Sequence, residues 1–559
     1  MIMGHFMPKQ LRFFIPYNKK MKELEKIDKL IEILDESGVG NIIEKALEKD
    51  TNIGRKGYDP YDLFTAIVYG FSKHSGSIRK IEESIIYDAR FNYIMGGALP
   101  SYVTISSLFN NIIVNNHKEI YVSILRTIIN KYNINVDDVF IDGTKFEANA
   151  NKYKFVWKPV TFHKTLNTNI KKLITKYIEL PPSKNWFTSK EIGNYLNELK
   201  ITFLKKHIDM DTVIRGRGHR IEQEAKDYFK LCDYLIKMLE YEEKENICGK
   251  NRNSYFKTDH DATAMCMKED YYSGKGSNMK AGYCVQIAVS KGIILDYYVS
   301  QDRSDSRTLM PFLDEFRADY GEYPKNLCAD AGYGSLSNYE YLSKNNIGNY
   351  VKYNYWQSEK DGTSIELYTF DEDDNLVCLN GKIGVEIDSY NGRHPKGKQN
   401  KYYVVKGCLK CKYKDYCNKP LKHKNSKERV FETSAKLYKY KVEAKKNLLS
   451  VKGIEMRVNR SAQVEGAFGV IKQDMDYERV RRRGLEKVTG EIMMVCLGYV
   501  IRKLFILLDG KNNLDYWIAP STLKPEELQT PNIEKIINKK EKKKSVNEIA
   551  KSSGKSKKS

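Results

Sequence analysis

Two short apolar runs in this sequence each end on an aspartate: Val139-Phe140-Ile141 leads into Asp142, and Leu327-Cys328-Ala329 leads into Asp330. A third acid, Glu465, falls in a helical stretch near the end of the chain. Carboxylates are hard oxygen donors, the ligands that Mg2+ and Mn2+ prefer, so acids delivered by buried strands are candidates for metal chemistry. Taken singly, an aspartate at a strand end reads equally well as a turn or cap residue. Asp259 and Asp261, in Thr258-Asp259-His260-Asp261-Ala262, are rival acids, and either could take the place of Asp142; His260 alone signals little.

Basic side chains follow the last acid. Glu465 and Lys472 are seven residues apart, two α-helical turns, so a carboxylate and an ammonium share one face, with Ser461 a turn earlier. The run Arg479-Val480-Arg481-Arg482-Arg483-Gly484 offers guanidinium groups suited to bidentate phosphate contacts. A solvated basic face is the alternative for that run, and a surface lysine or a partner of Glu465 the alternative for Lys472. A separate group, Cys378, Cys408, Cys411 and Cys417, contains one C-x2-C pair. Four thiolates can close a tetrahedral structural Zn2+ site; free thiols and redox chemistry stay open beside it.

These residues need a scaffold and a partner. The chain has 559 residues, enough for two or three cores, and 94 basic against 72 acidic residues give a net charge of +22. That excess, spread along the chain, favours a polyanion. Residues 1–20 mix Phe and Pro with charges, which argues against a signal peptide. The longest apolar helix candidate, 492–508, is interrupted by Arg502 and Lys503 and reads as a buried helix, not a membrane span. A cytoplasmic protein is expected, in which ten cysteines are thiols or ligands rather than disulfides.

Residues 58–111 give three short helical patterns. Asp59 and Pro60 open the first, Ser77 the second, and Thr104 is expected to cap the third, with Gly96-Gly97 as punctuation. A helical DNA-binding domain of helix-turn-helix type over 1–130 is expected, with a plain packing module as the alternative. Then come a strand at 139–141, a second extended segment at 145–150, a charged helical arm within 160–255, and a hairpin at 282–300 turning at Lys291-Gly292. A helix at 308–318, strands at 326–329 and 350–353, a cysteine-bearing insert over 355–455 and a helical region from 462 complete the pattern. Residues 511–559 form an extension, Lys/Ser-rich from 539 and expected to be disordered. This order suits an α/β class with an RNase H-like mixed sheet core over 131–510, a helical N-terminal domain, an inserted helical arm and a small cysteine-bearing insert.

Ile141-Asp142-Gly143-Thr144-Lys145, Ala329-Asp330-Ala331-Gly332-Tyr333 and Val464-Glu465-Gly466-Ala467-Phe468-Gly469 resemble the three active-site blocks of bacterial insertion-sequence DDE transposases. Tyr69-Gly70, Ser77-Ile78-Arg79-Lys80-Ile81-Glu82 and Gly96-Gly97-Ala98-Leu99-Pro100 resemble that family's front domain, so the likeness runs over about 10–510. The resemblance implies two Mg2+ or Mn2+ ions held by Asp142, Asp330 and Glu465, with Asp142 between both, and Lys472 on DNA phosphate. Arg457, Arg460, Arg479, Arg481, Arg482 and Arg483 are further expected DNA contacts. Many relatives place a Tyr and an Arg before the glutamate where this chain has Val458 and Ser461, so Arg457 and Arg460 stand displaced. The implied partners are double-stranded DNA, as terminal inverted repeats and target, and a second copy in a DNA-bound homodimer associated with the nucleoid. A metal-dependent nuclease without strand transfer and a non-catalytic DNA-binding regulator stay open.

Overall fold

The computed structural model describes residues 22–47, 57–73, 76–214, 221–267, 279–361, 366–395, 399–417, 427–510 and 524–527. The basic tail expected from 539 and the first 20 residues lie outside them.

The front of the chain is helical: α1 (Lys22–Ser37), α2 (Val39–Leu47), α3 (Pro60–Lys73), α4 (Ile78–Tyr87), α5 (Ala89–Met95), α6 (Tyr102–Leu108) and α7 (His117–Lys131). Local chemistry sets these boundaries. The Asp59 carboxylate accepts from the Tyr61 and Asp62 amides with Pro60 at the first helical position. Ser77 accepts from the Lys80 amide, and Gly96 at φ 58° ends α5. The third expected cap moves: Ser101, not Thr104, caps α6, its hydroxyl accepting from the Thr104 amide itself. Serine and threonine both serve as caps, and Ser101 is the one with extended backbone (φ −72°, ψ 158°) just ahead of the helix.

The central sheet follows. β1 (Asp138–Glu147) leads to β2 (Phe155–Trp157), then the helical arm α8 (Val160–Ile174), α9 (Ser189–Leu204) and α10 (Gln223–Cys248), which has its own core around Ile170, Phe187, Ile192 and Phe203. β3 (Ser254–Phe256) pairs with β2 at the root of the arm, and β4 (Thr263–Met265), β5 (Lys280–Ser290) and β6 (Ile293–Ser300) return to the sheet. The hairpin turns at Lys291 (φ 50°) and Gly292 (φ 74°), the left-handed pair that matches strand twist. α11 (Leu309–Tyr320), β7 (Asn326–Ala329), α12 (Leu336–Lys344) and β8 (Gly348–Asn349) complete it. β5 lies antiparallel between β6 and β1, while β7 and then β8 run parallel to β1. The order β6-β5-β1-β7-β8, with these directions, is that of an RNase H-like core in a mixed α/β protein.

Two sequence expectations shift here. β1 does not stop at Asp142: its ladder with β5 continues from Phe140 to Glu147, so the two expected extended segments are one strand. Gly143 lies within the sheet, opposite Gln286. At the other edge, the named ladder covers Gly348–Asn349, and the bonds Tyr350 N to Leu327 O and Lys352 N to Ala329 O carry the pairing into the expected 350–353 strand.

After α13 (Trp356–Lys360) comes the cysteine-bearing insert, with β9 (Tyr368–Phe370), β10 (Leu376–Cys378), β11 (Val385–Ile387), β12 (Lys401–Lys406), α14 (Lys414–Cys417) and β13 (Glu428–Thr433). The chain ends in α15 (Ala435–Leu449), α16 (Val451–Arg460), α17 (Gly466–Gly469) and α18 (Leu485–Leu508). A π turn, Ser461–Glu465, joins α16 to α17, and a second, Val470–Asp474, follows. α18 is buried on nearly every side and shares one apolar core with the front helices and the sheet. Its Gly498 permits this: a Cβ there would lie 2.6 Å from the Phe71 carbonyl oxygen of α3. Among the described residues no helix is long and apolar enough to cross a membrane.

Candidate active site

The register of the sheet brings two acids together. β1 and β7 are parallel partners up to Ile141 and Ala329, so the next residues on each strand, Asp142 and Asp330, emerge side by side where the ladder ends. Asp142 stays in β1, held on its other side by β5. Asp330 opens the short turn Ala331–Tyr333.

Glu465 arrives from the other end of the chain through Arg460. The Arg460 side chain is only 5% exposed; its Nη2 donates to Asp142 Oδ2 at 2.9 Å and its Nη1 to Glu465 Oε1 at 3.5 Å. The π turn explains this pairing. It widens the helix to i→i+5 bonding, which brings residues five apart towards one face, whereas α-helical spacing would have selected Ser461. The displacement of Arg460 in the sequence is therefore offset by one extra residue in the turn. Arg460 Nε is buried and, among the described residues, has no hydrogen-bond partner.

The electrostatics differ between the two aspartates. Burial raises the Asp142 carboxyl above its ordinary value, Asp330 and Asp305 add to this, and Arg460 and the Gly143 amide oppose it. Asp330 is also penalised by burial, yet Arg460 and Lys352 outweigh that and leave it below the ordinary value. Lys352 Nζ stands 3.4 Å from Asp330 Oδ1.

Asp305 is a fourth acid here that sequence reading missed. Its Oδ1 accepts from Gln286 Nε2 at 3.0 Å and from the Cys284 thiol at 3.4 Å. A Cβ on Gly143 would lie 2.8 Å from that oxygen, and a Cβ on Gly332 3.4 Å from Oδ2. The two glycines that follow the paired aspartates thus make room for a third. The available signal was their recurrence just after each acid.

The basic residues separate into two groups. Lys472 Nζ donates to Thr144 Oγ1 at 2.8 Å, two residues along β1 from Asp142 and therefore on the same face. Arg479 is 53% exposed with Glu147 3.8 Å away; Arg481 and Arg483 are exposed, and Arg483 Nε donates to Asn149 O. Arg457 and Arg482 turn inward. Arg457 pairs with Glu526 at 2.7 Å, and Arg482 lies 3.4 Å from the fully buried Glu491 and over the Phe109 ring. The rival acids have structural partners at the start of α18: Asp259 Oδ1 accepts from Gly484 N at 3.2 Å and Asp261 Oδ2 from Leu485 N at 2.8 Å.

Asp142, Asp330 and Glu465 are hard oxygen donors, and they already surround one cationic centre, the Arg460 guanidinium. This donor set suits divalent ions such as Mg2+. Among the described residues no three His, Cys, Asp or Glu side chains are drawn tightly enough together to enclose an ion.

Two family models match the chain: a transposase DDE domain over residues 377–505, which includes Glu465, and a transposase domain (DUF772) over residues 11–111, which spans α1 to α6. No curated protein and no solved structure matches it. The front-domain match, the late-helix match and the RNase H-like sheet order agree, and they support reading the chain as similar to insertion-sequence DDE transposases.

Proposed function

We propose that this protein binds the terminal inverted repeats of a mobile element, cuts at the element's ends and joins the freed 3′-hydroxyl to target DNA. Asp142, Asp330 and Glu465 would hold the divalent ions, two per site, as Mg2+ or Mn2+. The observation that carries this reading is the convergence of Asp142 and Glu465 on one buried guanidinium, beside Asp330, which follows the last residue of the β1–β7 ladder. Bound divalent ions would supply charge neutralisation at the scissile phosphate and activation of the attacking oxygen.

The chain's own groups have complementary tasks. The carboxylates accept metal; Arg460 holds Asp142 and Glu465 in orientation and keeps a buried N–H available. Lys472, anchored by Thr144, and Lys352, beside Asp330, place positive charge where the DNA backbone approaches the acids. The exposed Arg479, Arg481 and Arg483 extend that basic surface. Two ends must be held at once, which calls for a homodimer on DNA, in the cytoplasm at the nucleoid.

The test is cleavage and joining of a labelled duplex carrying the element's flanking repeats, in Mg2+, by the intact chain and by Asp142→Asn, Asp330→Asn and Glu465→Gln. Loss of both steps in every variant with DNA binding retained supports the assignment. Cleavage without joining would convert the reading to a nuclease. Persistent activity in a variant removes that acid, and no cleavage by the intact chain leaves a DNA-binding regulator.

A further inference from the structure

The insert brings four thiols to one place. Cys378 ends β10 in a tight turn in which its amide donates to Lys382 O at 2.8 Å and the Gly381 amide donates to Cys378 O at 2.7 Å, with Gly381 at φ 74°. Cys408 and Cys411 bracket a second turn just after β12, where the Cys411 amide donates to Cys408 O at 3.3 Å and Gly407 adopts φ 75°. Cys417 ends α14. All four are free cysteines, and all four line a single open hollow, together with Arg429 and Phe431.

The insert needs something of this kind. Its fully buried apolar core consists of Leu376, Tyr403, Val405 and Phe431, with Cys378, Cys408 and Cys417 packed partly buried against them. Units this small seldom hold on hydrophobic burial alone and are commonly fastened by disulfides or metal. The thiols form no disulfide, and they come from both sides of the junction that would need fastening.

We propose that Cys378, Cys408, Cys411 and Cys417 form a structural zinc site that staples the turn after β10 to the loop after β12. Binding one Zn2+ converts four thiols to thiolates and releases four protons to solvent, giving a closed tetrahedral tetrathiolate of charge −2. Positive charge is at hand to balance it: Arg429 lines the hollow, and Lys382 Nζ donates to Gly407 O at 3.2 Å, next to Cys408. In the present arrangement the thiols surround the hollow without enclosing an ion, and the Cys408 thiol donates to Val405 O at 3.3 Å. Ion binding replaces that bond and draws the sulfurs inward by side-chain rotation. The site is independent of the acidic centre and does not require the transposition reading.

The full-length chain, purified from zinc-supplemented cells, is assayed for zinc by elemental analysis and then for Co2+ substitution by visible absorption. About one zinc per chain is expected, with Co2+ giving the intense ligand-field bands of a tetrahedral thiolate site. Cys378→Ser and Cys411→Ser should each lower zinc affinity at least tenfold, whereas Cys232→Ser, a thiol of the helical arm, and Asp142→Asn keep it. If a serine variant does not fold, alkylation of the intact chain decides: four thiols protected until a chelator is added support the site. An intact chain that carries no zinc and gives no thiolate bands with Co2+ overturns it, as does equal alkylation with and without chelator.

Discussion

Arg460 Nη2 lies 2.9 Å from Asp142 Oδ2, a pair joining the start of a π turn to the middle of the central strand. The guanidinium is almost wholly buried and the carboxylate largely so, with side-chain exposures of 5% and 22%. The guanidinium in particular has little solvent to fall back on. In the folded chain, Arg460 therefore does for the acids electrostatically part of what a bound cation would do.

Replacing Arg460 by Met leaves Asp142 buried beside Asp330 and Asp305 with no counter-charge. The expected loss of stability is about 3–5 kcal/mol, the scale for breaking one side of a buried ion pair, read by urea denaturation. Added Mg2+ or Mn2+ should recover a larger share of stability in the variant than in the parent, because cation binding now relieves the repulsion. Equal stabilisation of both by metal would separate Arg460 from the ion site.

Arg479 and Arg482 are three residues apart and should behave differently. Arg482→Ala strips the guanidinium from the fully buried Glu491 and is expected to cost about 3–5 kcal/mol of stability. Arg479→Ala removes an exposed charge; it should leave stability within about 0.5 kcal/mol and reduce the salt dependence of DNA binding by about one phosphate contact. Denaturation curves paired with binding isotherms at several salt concentrations check both. A shared phenotype would mean that the basic run acts as one surface.

Asp259→Ala and Asp261→Ala test whether the rival acids are caps. Asp259 is buried, accepts from both Tyr283 OH and Gly484 N, and its loss should cost about 1–3 kcal/mol. Asp261 caps α18 through Leu485 N and should cost about 0.5–2 kcal/mol. Titration with Mn2+, followed by its paramagnetic resonance signal, should show unchanged ion binding in both. A weakened Mn2+ site would return these acids to the metal centre.

Much of this was legible because local chemistry and strand order agree. The apolar runs before Asp142 and Asp330 are the buried strands, Lys291-Gly292 is the hairpin turn, and Asp59-Pro60 starts a helix. What escaped sequence reading depends on tertiary geometry or on a departure from regular periods. Helical spacing at 3.6 residues selects Ser461 as the neighbour of Glu465, and only the π turn replaces it with Arg460. The arginine run reads as uniform in sequence, yet Glu491, a turn and a half into α18, pulls Arg482 inward. Asp305 belongs to no motif; it reaches the site because the loop after β6 folds over Gly143 and Gly332.

His117 links stability to pH. Burial, with the Lys118 charge adding to it, lowers the imidazole to about 4, and its Nδ1 lies 2.6 Å from Tyr297 OH. The unfolded chain binds that proton near the ordinary value of about 6.5, so between those values the unfolded state holds more protons. The contribution is complete above about pH 6.5 and is lost as pH falls toward 4. His117→Gln should flatten this part of the stability profile relative to the parent, measured by denaturation across that window. Superimposable profiles would mean that His117 titrates normally in the fold.

Gly143→Ala tests the close packing beneath the paired aspartates. Its Cβ would fall 2.4 Å from Gln286 Nε2, 2.7 Å from Gln286 Oε1 and 2.8 Å from Asp305 Oδ1, so both side chains must move. Gln286 has little freedom, since it donates to Asp305 and to the Cys284 sulfur and accepts from the buried Tyr333 hydroxyl. Overpacking of this kind costs about 1–3 kcal/mol. The displaced Asp305 and the strained strand lie directly beside Asp142, so DNA cleavage should fall by about tenfold or more even at temperatures where the variant stays folded. Asp305→Asn separates the two causes: it keeps the acceptor for Gln286 and the shape while removing the charge. If Gly143→Ala loses cleavage and Asp305→Asn does not, strand geometry alone accounts for the loss; if both lose it, the fourth carboxylate contributes its charge to the centre; a Gly143→Ala variant with parental stability and cleavage would show that the packing there is slack.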